Sequence, residues 1–381
     1  MATKTTTIIP KPQLEGIQTV PPSRITEPRT TRHVSDASPA AAGLTKGCFN
    51  LVLFYSNRSV REDSGWVAAG WMKESLARVL NQQPLLGGRL RKTGDEMEIV
   101  SNDSGARLLE ATVAVGLKEF MSTAGEVRAA AEAELVFWKE IDEQSPEFSP
   151  LLYVQVTNFK CGGYSVGISC SLLVADLLIA GNFLHKWGEI QKGMISTSAA
   201  GPNLPIFYLP NLKPNGSFTL EAFSSTPTRG QAHTLILKIT RPNNQLGLEA
   251  QLAELCVEEA QRRFGSEGKM ISSFRVVDLK ESPAVLKVKT WSPESEGIEG
   301  KKPPPGGGGI TAGNATWEDL GIEGVSFYAG NKPAGVACWV SWLNDDVLVM
   351  PIRDCGGVGG GDVIVVVAVP AKGKRMNDIV V

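Results

Sequence analysis

The chain has 381 residues, with 38 Lys and Arg against 40 Asp and Glu, and 42% of its residues are apolar. That content, with a charged fraction of 20%, is globular rather than disordered, and the net charge of −2 gives no bulk attraction for nucleic acid or an anionic membrane. The six cysteines form no CxxC pair, which fits reduced thiols rather than a disulfide frame or a zinc site.

The start of the chain lacks the apolar core of a secretory signal. No apolar run approaches the roughly 20 residues of a membrane-spanning helix. A cytoplasmic setting is therefore expected, with the sequons at Asn57, Asn215 and Asn314 unused. Residues 1–45 are rich in Pro, Thr and Ser and read as irregular. Residues 48–55 are an apolar, aromatic strand. Residues 64–81 follow a helical period that Pro84 stops. Strands are expected at 87–91, 96–100 and 106–111, with a turn at 102–105. Residues 148–159 form a strand that Cys161-Gly-Gly163 turns back into a second one ending at Asp176, so the two make a hairpin. A helix follows through about Gln191. Trp66, Trp71, Phe137 and Trp138 read as core or half-buried aromatics.

Residues 193–230 are rich in Pro, Ser and Gly and read as an interdomain crossover. Beyond them come a strand at 234–240, a helix at 243–263 and a strand at 270–279. Residues 292–309 are low-complexity, ending in a Pro-Pro-Pro-Gly-Gly-Gly-Gly run, and read as a linker. Three strands close the chain, at 335–342, 346–352 and 362–369. The Gly-rich stretch 356–361 has no Lys-Ser/Thr and no following helix, so it reads as a hairpin turn rather than a phosphate loop. The expected architecture is α/β with mixed sheets flanked by helices. The expected division is an N-terminal domain at 46–192 and a shorter C-terminal domain at 231–381.

Candidate chemistry is sparse. Cys170 could act as a nucleophile only if its pKa were lowered, and it reads instead as a buried packing residue. Ser171 points away from position 172 on a regular strand. The histidines His33, His185 and His233 sit in unrelated segments, and none is assigned a catalytic role. No metal site is expected.

Several stretches, in order, resemble the plant BAHD acyltransferases. Residues 76–90, with Pro84-Leu-Leu-Gly-Gly-Arg-Leu90, are similar to that family's early helix and following strand. Residues 102–105 resemble its next turn, and residues 149–163 the strand before its HXXXD motif. Residues 169–176 occupy the motif itself. Phe327-Tyr-Ala-Gly-Asn-Lys-Pro333 stands where the family has Asp-Phe-Gly-Trp-Gly-Lys-Pro, and residues 359–370 resemble its closing strand. Residues 148–163 are most similar to the eceriferum-type branch, which acts with fatty-acid elongases in cuticular wax formation.

The resemblance implies a chloramphenicol-acetyltransferase-like fold of two domains with the site between them. It also implies a histidine general base that deprotonates an alcohol or amine for attack on an acyl-CoA thioester. Such a base is typically worth about 10²–10⁴-fold in rate. Here the base position is Leu172, which cannot accept a proton. The motif's aspartate survives as Asp176, with the structural role of pairing with a basic residue, for which Lys280 or Arg275 is the candidate. The loop position of the family's aspartate is Phe327 and that of its second glycine is Asn331; Gly330, Lys332 and Pro333 complete this bracing loop. The short 279–310 region replaces structure that borders the family's CoA tunnel.

The expectation is an acyltransferase-like protein weak or inactive in acyl transfer. It would be monomeric and act as an accessory to an elongase component in very-long-chain fatty-acid metabolism, peripheral at the endoplasmic reticulum. Acyl-CoA is expected as co-substrate or ligand rather than as a permanently bound cofactor. The alternative is an active acyl-CoA-dependent O- or N-acyltransferase that relies on positioning, which alone can supply several kcal/mol. A third is different chemistry on the same scaffold.

Overall fold

The computed structural model describes residues 9–35, 39–56, 65–94, 96–179, 182–198, 232–240, 249–264, 274–278, 285–291, 311–315, 319–354 and 362–371. The low-complexity stretch 292–309 lies outside them, as do residues 199–230 of the crossover expected at 193–230, whose first residues, 193–198, instead continue a helix. Lys280 and the turn 356–361 also lie outside them.

The first half of the chain carries β1 (Gln13–Val20), β2 (Thr31–Ser35), α1 (Pro39–Lys46), β3 (Cys48–Tyr55), α2 (Gly65–Val79), β4 (Arg89–Thr93), β5 (Glu96–Val100) and β6 (Ala106–Val113). There follow α3 (Leu117–Ser122), α4 (Gly125–Ala133), β7 (Leu152–Phe159), β8 (Tyr164–Ser171), α5 (Ala175–Ile179) and α6 (Phe183–Ser198). The second half adds β9 (Ala232–Thr240), α7 (Glu249–Phe264), β10 (Phe274–Asp278), β11 (Val285–Trp291), β12 (Thr311–Asn314), β13 (Gly335–Ser341), β14 (Val347–Asp354) and β15 (Asp362–Pro370).

These strands form a six-stranded sheet in the order β1-β6-β7-β8-β3-β13 and a nine-stranded sheet in the order β12-β9-β15-β14-β10-β11-β2-β5-β4. Both are mixed, since β6 runs parallel to β7 while β7 and β8 are antiparallel. Helices α2 and α6 pack together over one face of the six-stranded sheet, and α7 lies on the nine-stranded one. This is the mixed α/β arrangement the sequence pattern suggested.

The uninterrupted apolar run of β15 follows from burial on both faces. Ile364, Val366 and Ala368 join the main core, while Val363, Val365 and Val367 pack against Cys256, Val257 and Ala260 of α7. The hairpin of β7 and β8 forms as expected, with Leu152 opposite Cys170 and Asn158 opposite Tyr164. Trp71, Phe137 and Trp138 are buried, as their context suggested.

Residues 1–45 depart from their expected irregularity. Gln13–Val20 pairs with β6 at the edge of one sheet, and Thr31–Ser35 lies between β5 and β11 inside the other. Both strands carry charged and polar residues, so their hydrophobic period is weak, and edge pairing or a buried charge supplies what the pattern lacks. The sheets also exchange strands across the expected domain boundaries. β2, β4 and β5 join the sheet built mostly from residues 231–381, and β13 pairs with β3 along its whole length, Gly335 opposite Phe54 through Ser341 opposite Cys48.

Candidate functional site

β8 ends at Ser171, and the chain turns through 172–174 into the short helix α5. The Val174 amide donates to the Ser171 carbonyl at 3.0 Å, and the Leu172 amide reaches the Gly47 carbonyl at 3.4 Å. Leu172 is fully buried. Its side chain lies against Gly47, where an added Cβ would come within 2.4 Å of Leu172 Cδ1 and make the leucine shift.

Leu172 belongs to the main hydrophobic core. Phe49 and Leu51 of β3 stand opposite Cys170 and Ile168 of β8, and all four side chains are fully buried in the same core as Leu172. Cys170 offers no replacement base or nucleophile: burial, and then the Asp176 charge, push its thiol well above the ordinary value. The Cys48 thiol is likewise pushed up to about 12 by burial. Ser171 is buried, and its hydroxyl caps the turn by accepting the Leu173 amide at 3.3 Å.

Asp176 is held as a structural group, by a partner the sequence did not suggest. Arg32 of β2 grips it with two parallel bonds, Nη1 to Oδ1 at 2.8 Å and Nη2 to Oδ2 at 2.6 Å. The same Nη1 donates to the Leu173 carbonyl at 3.0 Å. One fully buried guanidinium thus fixes both the carboxylate and the backbone of the motif turn. Arg32 belongs to the nine-stranded sheet and Asp176 follows a strand of the six-stranded one, so the pair ties the two sheets together. This replaces the expected pairing with Lys280 or Arg275. Along β2, Arg32 and Val34 are buried while His33 between them is exposed, as the alternation of a strand requires.

The 325–334 segment docks on the end of the six-stranded sheet. Phe327 is fully buried, edge-on to Trp187 of α6 with ring centroids 4.9 Å apart, and 5.8 Å from Tyr55 of β3. The Tyr55 hydroxyl donates to the Val325 carbonyl at 3.0 Å, and the Ala334 amide to the Phe54 carbonyl at 2.6 Å. Gly330 takes a left-handed φ of 73°, and Asn331 is buried one residue on. Lys332 is exposed and Pro333 partly buried, which leaves both at the rim. A phenyl ring at 327 therefore makes this contact through aromatic packing, where a carboxylate could not without a buried partner.

The histidines are dispersed. His33 is exposed on β2, His185 bonds the Gly321 carbonyl, and His233 stacks on Phe264 at 4.6 Å. None approaches Leu172. Among the described residues there is no cluster of metal-ligating groups, and no helix is long and apolar enough to cross a membrane.

The taxadien-5-alpha-ol O-acetyltransferase of Taxus chinensis is 31% identical over 189 residues, covering 45% of this chain and 38% of that protein. Rosmarinate synthase of Plectranthus scutellarioides is 32% identical over 143 residues, covering 37% of this chain and 31% of that protein. Anthranilate N-benzoyltransferase protein 3 of Dianthus caryophyllus is 32% identical over 151 residues, covering 38% of this chain and 33% of that protein. The chain thus spans about a third of the length of these curated relatives. Among solved structures, vinorine synthase aligns over 95% of both chains with 15% identity and a TM-score of 0.45. Residues 42–234, half of the chain and including the hairpin and the motif turn, match the model of the Transferase family. The chain belongs to that family, the plant BAHD acyltransferases.

Proposed function

We propose that this chain keeps the acyltransferase scaffold without its acid–base chemistry. In this reading it works as a cytoplasmic accessory in acyl-CoA metabolism, at the edge of the endoplasmic reticulum, aiding the elongation of very-long-chain acyl groups. The observation that carries the first part is Leu172, fully buried in the main hydrophobic core at the position of the family's base. A leucine there cannot take a proton from an acceptor hydroxyl or amine, and the Cys170 thiol is held protonated by burial. What survives of the motif is the Arg32–Asp176 pair, which shapes the turn. The elongation role is supported by the resemblance of residues 148–163 to the eceriferum-type branch.

Acyl transfer is tested by incubating the purified chain with a panel of acyl-CoAs and alcohol or amine acceptors and following CoA release. The expected result is release no faster than the uncatalysed blank. Turnover on the order of 1 s⁻¹ or above, an ordinary enzyme rate, would overturn the reading in favour of a working O- or N-acyltransferase. Leu172→His then reports on the rest of the site: a gain of roughly 10²-fold or more shows that donor and acceptor still reach position 172. Elongation is tested separately by co-expression with a condensing enzyme of the elongase. Longer acyl products are expected, and an unchanged chain-length distribution rejects the accessory role.

A further inference from the structure

We propose that the face of the six-stranded sheet opposite Leu172 carries a second small-molecule site, one that takes an organic monoanion with an apolar body. The two faces are distinct along β6: Leu108 joins the core that holds Leu172, while the next residue, Leu109, joins Cys48, Phe137, Trp138 and Tyr153 on the other side. On that other side a cavity of about 420 Å³ opens between β6, β7 and the 137–150 segment. This is in the size range of pockets that hold small ligands.

The floor is apolar and aromatic. Leu109, Phe137 and Tyr153 line it, with the Phe137 and Tyr153 rings 5.4 Å apart, and Phe148 stands at the rim, 75% exposed. A large exposed phenyl ring over a cavity is a hydrophobic surface with no occupant of its own. Two cationic side chains join this lining. Arg107 lies directly beside Tyr153 in the parallel register of β6 and β7, and Lys139 also lines the cavity. Asp142 is the acid among the lining residues, and its Oδ1 already accepts the Gln144 amide at 2.9 Å.

A second guanidinium, that of Arg89 on β4, feels the Arg107 charge without lining the cavity. Arg89 is buried with only neutral partners, donating to the carbonyls of Gly88, Gly105 and Ser104 at 2.7, 2.8 and 3.3 Å. Burial, and then the Arg107 charge, lower its pKa to about 10. Both arginines also act on the Tyr153 hydroxyl, against the burial that raises it to about 12. Among the described residues, neither Arg89 nor Arg107 has a carboxylate within ion-pair distance. Arg107 and Lys139 on the lining, with Tyr153 and an open aromatic floor, are arranged to receive an anionic head on an apolar tail.

The test titrates the full chain with 8-anilinonaphthalene-1-sulfonate, a fluorescent aromatic monoanion. Saturable binding is expected, weakened about tenfold or more by Arg107→Gln and partly recovered by Arg107→Lys, since a single charge keeps the attraction without the fork. Lys139→Gln, at an exposed position, is expected to weaken it severalfold and serves if the Arg107 variants do not fold. In competition, 4-phenylbutyrate should displace the probe at concentrations about tenfold below those needed of 4-phenylbutan-1-ol. Wild-type affinity in folded Arg107→Gln, or in Lys139→Gln, overturns the assignment. So does equal displacement by the acid and the alcohol. Neither result bears on whether acyl transfer occurs at Leu172.

Discussion

Removing one member of the Arg32–Asp176 pair strands the other charge in a site from which water is excluded. Such a loss typically costs about 3–5 kcal/mol, whereas replacing both by apolar residues of similar volume can be neutral. Arg32→Met and Asp176→Leu are each expected to lower stability by that order in chemical denaturation, and the double variant to recover most of it. Additive losses would show that the residues do not act on each other. A second residue-scale expectation concerns Glu110, whose carboxyl is pushed up from its ordinary value by burial, against the pull of Lys73 and the Gln18 bond. A raised carboxyl pKa in the folded state means its contribution is fully present below about pH 4.5 and is lost as pH rises through the folded value. Glu110→Gln should therefore gain stability relative to the parent between acid and neutral pH, read from paired melts; a constant difference would reject this. The thiols give a third check. Cys161 is exposed while Cys48 and Cys170 are fully buried with raised pKa values. An alkylating reagent followed by peptide mapping should mark Cys161 in the native protein and reach Cys48 and Cys170 only on unfolding.

Among the elements, α2 and α6 form the seam that backs the motif turn. Trp187 donates its indole N–H to the Ser75 hydroxyl at 2.8 Å, and that hydroxyl donates in turn to Gln191 Oε1 at 2.9 Å, all three residues being buried. Ser75→Ala leaves the indole donor without its acceptor in a dry seam, a loss of about 1–3 kcal/mol expected in denaturant unfolding. Much of this level was readable from periodicity. The strand at 48–55, the hairpin of β7 and β8 and the long apolar β15 follow from alternating or continuous burial, and the helices at α2 and α7 from a period near 3.6. β1 and β2 were not readable, because an edge strand and a strand carrying a buried arginine lack a clean apolar pattern.

At the scale of the whole molecule, the exchange of strands makes each sheet depend on both halves of the chain. β13 closes the six-stranded sheet from the far end of the sequence, and β2, β4 and β5 complete the nine-stranded one from its beginning. The expected consequence is a single cooperative unfolding transition, with near-ultraviolet and far-ultraviolet signals coincident; two resolved transitions would show that the sheets fold separately. The amino-acid sequence by itself determined the fold class, the hairpin that leads into the motif and the absence of a proton acceptor at 172, because these depend on residue type and short-range period. Only the tertiary structure decided that Leu172 sits in the main hydrophobic core and that Asp176 is held by Arg32, 144 residues away. It also decided that Arg107 and Lys139, 32 positions apart in the chain, line one aromatic pocket. The physical reason is that charge pairing and burial act over a few ångströms of space, and no local pattern in the chain records which distant segment will come that close.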